Sequence, residues 1–193
     1  MYHILKNKYS TQLLVLVLGL MADLTFATPE GQTIDRELLI AYLNTGSKES
    51  PTWSAIGKRV EDSSEEMDWG QESKQDILGN TFTTMKKPVI SQTFDPIPMD
   101  SGDAAAVKMW NLAVKDHDAQ ALANQDMMIG HFYVTSGEAK FAERYDSCAI
   151  AVTGIGGDGG GTLNITSEIT YGGNRTLGTI TKDTSGVTFT AGA

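Results

Sequence analysis

Apolar and polar residues alternate with a period of two through much of the C-terminal part of the chain. The alternation is clearest over 126–134, 148–152 and 163–171, where most of the alternate positions are apolar. Successive side chains of a strand point to opposite faces, so this pattern predicts β-strands with one buried face. The sequence therefore predicts a mainly β protein.

Glycines mark the turns between the last of these strands. Gly172 and Gly173 predict a tight turn, after which residues 177–181 are expected to pair back on the strand over 163–171. Residues 182–186 predict a second turn before a final strand over 187–190.

Shorter apolar runs in the first half of the chain also predict strands. These are expected over 36–44, 53–62, 81–85 and 89–94, with Gly57 as a bulge. The polar stretch 70–80 is predicted to be a loop. Residues 95–98 (DPIP) are expected to break regular structure, because proline lacks an amide N–H.

One segment, 103–122, has the periodicity of a helix. Asp103 can accept hydrogen bonds from the free amides of the first turn, and three alanines follow it. The face predicted to pack against the core carries Val107, Trp110, Val114 and Ala121. The chain is therefore expected to be β-rich with one packed helix.

Length and charge limit the kind of protein. A chain of 193 residues fits one domain and can bury enough surface to fold without a disulfide or a metal. It has 15 Lys+Arg against 24 Asp+Glu, a net charge of −9. This acid excess argues against a protein that grips nucleic acid phosphates, but not against one that touches DNA without holding it.

Residues 1–20 differ from the rest of the chain. Lys6 and Lys8 precede the apolar run 13–20 (LLVLVLGL), a pattern typical of a signal peptide and too short to span a membrane. Alternatively, translation begins at Met21 and residues 1–20 are an over-extended start. In either case we expect a single domain over 21–193, whose residues 22–34 form a flexible arm.

The candidate cofactor and metal motifs are weak. Residues 154–159 (GIGGDG) match G-x-G-x-x-G, but that motif binds a pyrophosphate only ahead of a helix, and a β-branched run follows here. We expect a flexible strand-to-strand loop instead. Cys148, the only cysteine, is predicted to be a buried thiol and excludes an intrachain disulfide. No metal-binding spacing joins the three histidines, His3, His117 and His131.

An acidic run lies between residues 61 and 68. It contains Glu61, Asp62, Glu65, Glu66 and Asp68. Catalytic carboxylate pairs need different environments, whereas a run in one polar segment is typical of a solvated face that could bind divalent cations weakly. We therefore predict no catalytic, cofactor-binding or metal-binding residues and no enzymatic activity. Asn164 and Asn174 begin glycosylation sequences, which matter only in a eukaryotic secretory pathway.

Four stretches resemble the tail tube (major tail) proteins of long-tailed bacteriophages. They are 53–62 (WSAIGKRVED), 76–96 (DILGNTFTTMKKPVISQTFDP), 100–122 (DSGDAAAVKMWNLAVKDHDAQAL), and the ending from 141–145 (FAERY) to 170–179 (TYGGNRTLGT). The resemblance implies a β-sandwich or barrel-like body of two packed sheets with one flanking helix.

The same resemblance implies a structural virion protein that assembles in the bacterial cytoplasm. Its hexameric rings would stack into a tube whose lumen, lined by strands of neighbouring subunits, conducts DNA during ejection. The implied partners are further copies of the chain, a tape-measure protein, a tail terminator and baseplate or tail-tip proteins, with no membrane and no cofactor. Such proteins usually lack a signal peptide, so we expect the chain in assembled particles to begin near Ala22.

Two alternatives belong to other classes. The first is the inner tube protein of a contractile tail or related injection machine, which would need a sheath partner. The second, more distant, is a secreted β-sandwich hydrolase that uses the acidic run. For a tube we expect ring-to-ring contacts through the 70–80 loop and the arm. We also expect a net negative lumen that repels DNA, with the Glu61–Asp68 segment, including Glu65 and Glu66, as the leading source of its carboxylates. Alternatively, this segment lies on the outer surface or in the ring-to-ring contact.

Overall fold

Antiparallel strands make up most of the chain in a computed structural model, which describes residues 24–184 and 186–192. The strands are β1 (Thr25–Phe26), β2 (Leu39–Asn44), β3 (Trp53–Ala55), β4 (Glu65–Asp68), β5 (Glu72–Gln75), β6 (Thr81–Thr84), β7 (Val89–Pro98), β8 (Gln125–Ser136), β9 (Ala139–Gly156), β10 (Asn164–Tyr171), β11 (Arg175–Asp183) and β12 (Gly186–Ala191). The mainly β prediction is confirmed. The predictions for residues 1–20 fall outside the described residues.

Two sheets share the long strand β9. Residues 139–148 of β9 pair with β8, and residues 140–145 also pair with β11. This sheet, called sheet A, runs β3-β2-β8-β9-β11-β12, with β1 added to the far end of β8. Residues 149–156 of β9 pair with β10 instead, and the second sheet, called sheet B, runs β9-β10-β7-β4. One strand thus crosses from one layer to the other.

The two sheets pack around a common core that also receives a helix. Its buried side chains include Leu43, Met127, Ile129 and Tyr145 from sheet A and Phe94, Ile97, Ile150, Ile165 and Ile169 from sheet B. The opposite face of sheet A also carries a cluster of buried apolar residues. Sheet A is curved, so that its edge strands β3 and β12 contact each other. This is the sandwich of two packed sheets that the resemblance implies.

The predicted helix over 103–122 is broken into three pieces. Helix α1 (Ala104–Trp110) begins at Asp103, whose carboxylate accepts hydrogen bonds from two backbone amides, as predicted. A π-helical turn, Asn111–Lys115, follows. His117 then adopts a left-handed conformation (φ 49°) before the short helix α2 (Ala119–Leu122). A single helical period therefore does not describe this segment.

The predicted apolar face of the helix is correct only in part, because Trp110 packs against the core but the most buried residues lie on a shifted face. Ala105, Ala106 and Met109 are the buried helix residues, whereas Trp110 is only half-buried. The two alanines are small, so α1 can approach the sandwich closely on that face.

This phase predicts unequal costs for two neighbouring truncations. Met109→Ala should lower the free energy of unfolding by about 2–5 kcal/mol, because it removes a side chain that is 1% exposed and leaves a cavity. Trp110→Ala should cost less, because part of the indole already contacts water. Urea denaturation of both variants checks this, and a larger loss for Trp110→Ala would contradict the assignment.

Three predictions of secondary structure from the sequence are wrong: the loop over 70–80, the break at 95–98 and the full length of the strand over 53–62. Residues 70–80 contain β5 and the turn that joins it to β6, so they form one side of a hairpin rather than a loop. Strand β7 continues through Pro98, with a cis Asp95–Pro96 bond and a register shift against β10. Residues 53–62 are a strand only as far as Ala55. The hairpin was missed because neither of its faces is buried.

The pairing predicted for residues 177–181 is also wrong. Strand β11 pairs with β9 and β12, not with β10. The turn at Gly172 and Gly173 carries the chain across a corner of the sandwich, from sheet B to sheet A. Adjacent strands in sequence therefore lie in different layers.

Candidate assembly interface

Sheet B is open at both of its edges. Among the described strands, β4 pairs only with β7, and residues 149–156 of β9 pair only with β10. An open edge presents free N–H and C=O groups that can pair with another strand. Because neighbouring strands of sheet B are antiparallel, β4 runs opposite to β9. The β4 edge of one copy and the β9 edge of another would therefore meet as an antiparallel pair.

The face of sheet B that points away from the core is acidic. Glu66 and Asp68 lie on β4, Asp95 on β7 and Glu168 on β10, all of them exposed. Asp95 accepts a 2.7 Å hydrogen bond from Thr166, which places these neighbouring strands' side chains on one surface. None of the four segments 65–68, 89–98, 149–156 and 164–171 contains a lysine or an arginine.

Glu65 does not belong to this acidic face. Its Oε1 atom is buried and has no hydrogen-bond partner. Burial raises the pKa of this carboxyl and nearby Glu143 raises it further, while His131 and Arg36 oppose the rise. The expectation that Glu65 and Glu66 share one surface is therefore wrong, because consecutive strand residues face opposite sides of the sheet.

A buried polar cluster lies beneath β4, centred on Glu143. This carboxylate receives hydrogen bonds from Arg175 Nε (2.6 Å) and Tyr145 Oη (2.7 Å), and its Oε1 lies 3.1 Å from His131 Nε2. Burial opposes ionisation, but the three partners outweigh it and lower the pKa of Glu143 to about 2. The cluster ties β8, β9 and β11 together on the side of sheet A that faces Glu65.

The other candidate residues show no catalytic arrangement. The loop predicted over 154–159 begins only at residue 157, because residues 154–156 belong to β9 and pair with β10; residues 157–163 join the two strands. Cys148 is buried, and burial raises the pKa of its thiol to about 12, which fits the predicted inert thiol. His117 is exposed. Within residues 24–184 and 186–192, no group of three His, Cys, Asp or Glu side chains could hold a metal ion. The same residues include no helix of a length and hydropathy suited to crossing a membrane.

The hairpin of β5 and β6 contains the 70–80 segment, through which ring-to-ring contacts are expected, but its hairpin form was not predicted. At its tip, Ile77 is 102% exposed and Leu78 is 81% exposed. The signal lay in residues 76–80 (DILGN), where Asp76 and Gly79 are typical turn residues. Asp76 accepts 2.8 Å hydrogen bonds from the amides of Leu78 and Asn80, and Gly79 has a φ of 84°.

Comparison with known proteins finds likenesses in structure only. No protein-family model and no curated protein matches this sequence. One similar structure is the tube terminating cap of the anti-feeding prophage, with a TM-score of 0.46, 12% identity, and coverage of 79% of this chain and 95% of that one. Another is from the PVC sheath-tube complex, an extracellular contractile injection system, with a TM-score of 0.44, 9% identity, and coverage of 78% and 94%.

A third similar structure is from the PVC sheath/tube terminator. Its TM-score is 0.47, its identity 11%, and coverage is 77% of this chain and 99% of that one. The two PVC structures are named as parts of an extracellular contractile injection system, and the first structure is named as a tube terminating cap. All three TM-scores are below one half, so the functional proposal rests on the chain's own edges, faces and charges.

Proposed function

We propose that this chain is a non-enzymatic structural subunit of a phage-like tail tube. The observation that carries the proposal is the pair of open, unlike edges on sheet B, one on β4 and the other on residues 149–156 of β9. Joining unlike edges head to tail is a heterologous contact, which closes into a ring when the rotation between copies allows it. Closure would also remove both exposed edges.

The strand count of sheet B suits such a ring. Each copy contributes four strands, an even number, so the antiparallel alternation continues across every boundary between copies. In a ring of six, the number that the resemblance implies, the joined sheets would form a barrel about 45–50 Å across at the backbone. Such a barrel leaves an open lumen.

The acidic face of sheet B would line that lumen. Glu66, Asp68, Asp95 and Glu168 would repel the phosphates of passing DNA over about 8–10 Å at physiological salt. The absence of Lys and Arg from these strands removes the contacts by which proteins hold DNA. The tube would therefore conduct DNA without binding it.

The proposed partners follow from this role. They are further copies of the chain, a tape-measure protein inside the tube, a terminator, and baseplate or tail-tip proteins, all within a virion or a related particle. The tube of a long-tailed phage and the inner tube of a contractile machine both fit the open edges. A terminating ring, the role named for two of the similar structures, is a second candidate.

Electron microscopy of the purified full-length chain tests the proposal. We expect hollow tubes built of stacked rings in negative stain. Single rings that never stack would favour the terminator, and a monomer at every concentration would overturn both candidates. Co-expression with a sheath protein would then separate the contractile from the non-contractile tube.

Charge reversal on the proposed lumen should create DNA binding. Tubes of a Glu66→Lys, Asp68→Lys variant should retain labelled duplex DNA in a sedimentation assay, and retention should fall steeply as salt rises. Asp116→Lys with Glu138→Lys makes the same charge change at exposed sites outside sheet B. Equal DNA retention by the two double variants would argue against the lumen assignment.

A further inference from the structure

Glu65 is the first residue of β4, the strand that carries one of the two open edges of sheet B. Its side chain is half-buried, and its Oε1 atom is buried without a hydrogen-bond partner in the described part of the chain. Buried carboxylates are normally paired or hydrogen-bonded, because leaving one unpaired costs free energy. This position therefore favours the neutral acid over the carboxylate.

The polar side chains next to Glu65 already have other partners. The Arg36 guanidinium donates through Nε and Nη2 to the backbone carbonyl of Ser63 and through Nη1 to that of Leu39. Gln92 lies opposite Glu65 on β7, and its Nε2 donates to Ser63 Oγ at 3.0 Å. Neither side chain can turn to Glu65 without giving up these hydrogen bonds.

Titratable groups on three further strands lie close to Glu65. They are His131 and Tyr133 of β8, Glu143 of β9 and Tyr171 of β10. Both ring nitrogens of His131 are occupied, one by the Tyr133 hydroxyl at 2.9 Å and the other by Glu143 at 3.1 Å. Burial raises the pKa of Glu65 and Glu143 adds to the rise, whereas His131 and Arg36 oppose it.

We propose that Glu65 is a pH-sensitive switch on the ring-forming edge of sheet B. With its side chain protonated, Glu65 stays beneath β4, and the strand remains paired with β7. Ionisation at higher pH moves the carboxylate into water and loosens the start of β4. The inference rests on the tube proposed above and names a regulation of its ring contact, because a loosened β4 offers no edge to the next copy.

The direction of the pH effect follows from the sign of the pKa shift. A carboxyl whose pKa is raised in the fold contributes stability that is complete below its ordinary pKa, here 4.5, and is lost as the pH rises through the raised value. Strand β4 should therefore be held more firmly at pH 5 than at pH 8. Glu143 loses its contribution only below pH 4.5, so the two carboxyls act in separate pH ranges.

Amide hydrogen exchange in the free full-length subunit tests the switch without requiring tubes. The protection of residues 65–68, corrected for the intrinsic exchange rate at each pH, should fall several-fold from pH 5 to pH 8. Glu65→Gln and Glu65→Leu cannot ionise and should keep at pH 8 the protection seen at pH 5. Glu66→Gln, exposed on the opposite face of the strand, should show the fall of the unmodified chain. An equal fall with and without Glu65 would overturn the switch.

Tube assembly supplies the second test. The concentration at which tubes first appear should be several-fold higher at pH 8 than at pH 5, and Glu65→Gln, but not Glu66→Gln, should remove most of this difference. Tubes with the same pH dependence in the unmodified chain and in Glu65→Gln would overturn the switch and leave the tube intact. Exchange that depends on pH only when Glu65 is present, without rings or tubes at either pH, would support the switch and overturn the tube. Neither result would overturn both.

Discussion

One of two neighbouring proline substitutions in β4, Glu66→Pro or Met67→Pro, should leave the subunit folded and block its assembly. Successive amides of a strand point to opposite sides, so one of these two N–H groups bonds to β7 and the other points to the open edge. Proline at the residue whose N–H bonds to β7 removes a hydrogen bond of the sheet and should lower the melting temperature. Proline at the residue whose N–H points to the open edge leaves the fold intact, but its ring obstructs the edge on which the next copy must pair.

Melting curves and electron microscopy of the same two variants check this expectation. Both side chains are exposed, so Glu66→Ala and Met67→Ala are matched controls that keep the amides and should assemble normally. Assembly by both proline variants would show that β4 is not a ring contact.

Loss of the buried Glu143 carboxylate should destabilise the fold strongly. Glu143→Ala should lower the free energy of unfolding by about 3–5 kcal/mol, because it leaves Arg175, His131 and the Tyr145 hydroxyl without their shared acceptor. Glu138→Ala, at an exposed turn between β8 and β9, should change it little. Equal losses of unfolding free energy for Glu143→Ala and Glu138→Ala, measured by chemical denaturation, would contradict the structural role of this cluster.

The same carboxylate should make stability depend on acid pH. Its pKa is about 2 in the fold against an ordinary value of 4.5, so its contribution is complete above pH 4.5 and is lost as the pH falls towards 2. This loss is worth roughly 3 kcal/mol. Glu143→Gln cannot titrate there and should lack this part of the pH dependence. Parallel acid denaturation curves of the two proteins would show that the group is not perturbed.

The sequence predicts best those strands that bury one face. Strand β10 carries the period of two because its inner residues, such as Ile165 and Ile169, pack in the sandwich core. Strands β5 and β6 leave no such pattern, since both of their faces are exposed. The π-helical turn after Trp110 interrupts the helical period, so Val114 and Ala121 do not extend the face of α1.

The candidate interface was predictable only in part. The acidic run includes all of β4, and the alternation of side chains along a strand already places Glu66 and Asp68 on the face opposite Glu65. Asp95 and Glu168 could not be assigned to the same face, because strand pairing brings them there from distant parts of the chain. The open edges of sheet B likewise depend on which strands fail to pair.

Amide hydrogen exchange in free subunits and in assembled tubes tests whether sheet B closes around a ring through its two open edges. We expect amides in residues 65–68 and in residues 149–156 to become protected together on assembly. Amides of β8, already paired on both sides, should change little. Intact tubes in which both edge segments exchange as fast as in the free subunit would contradict it.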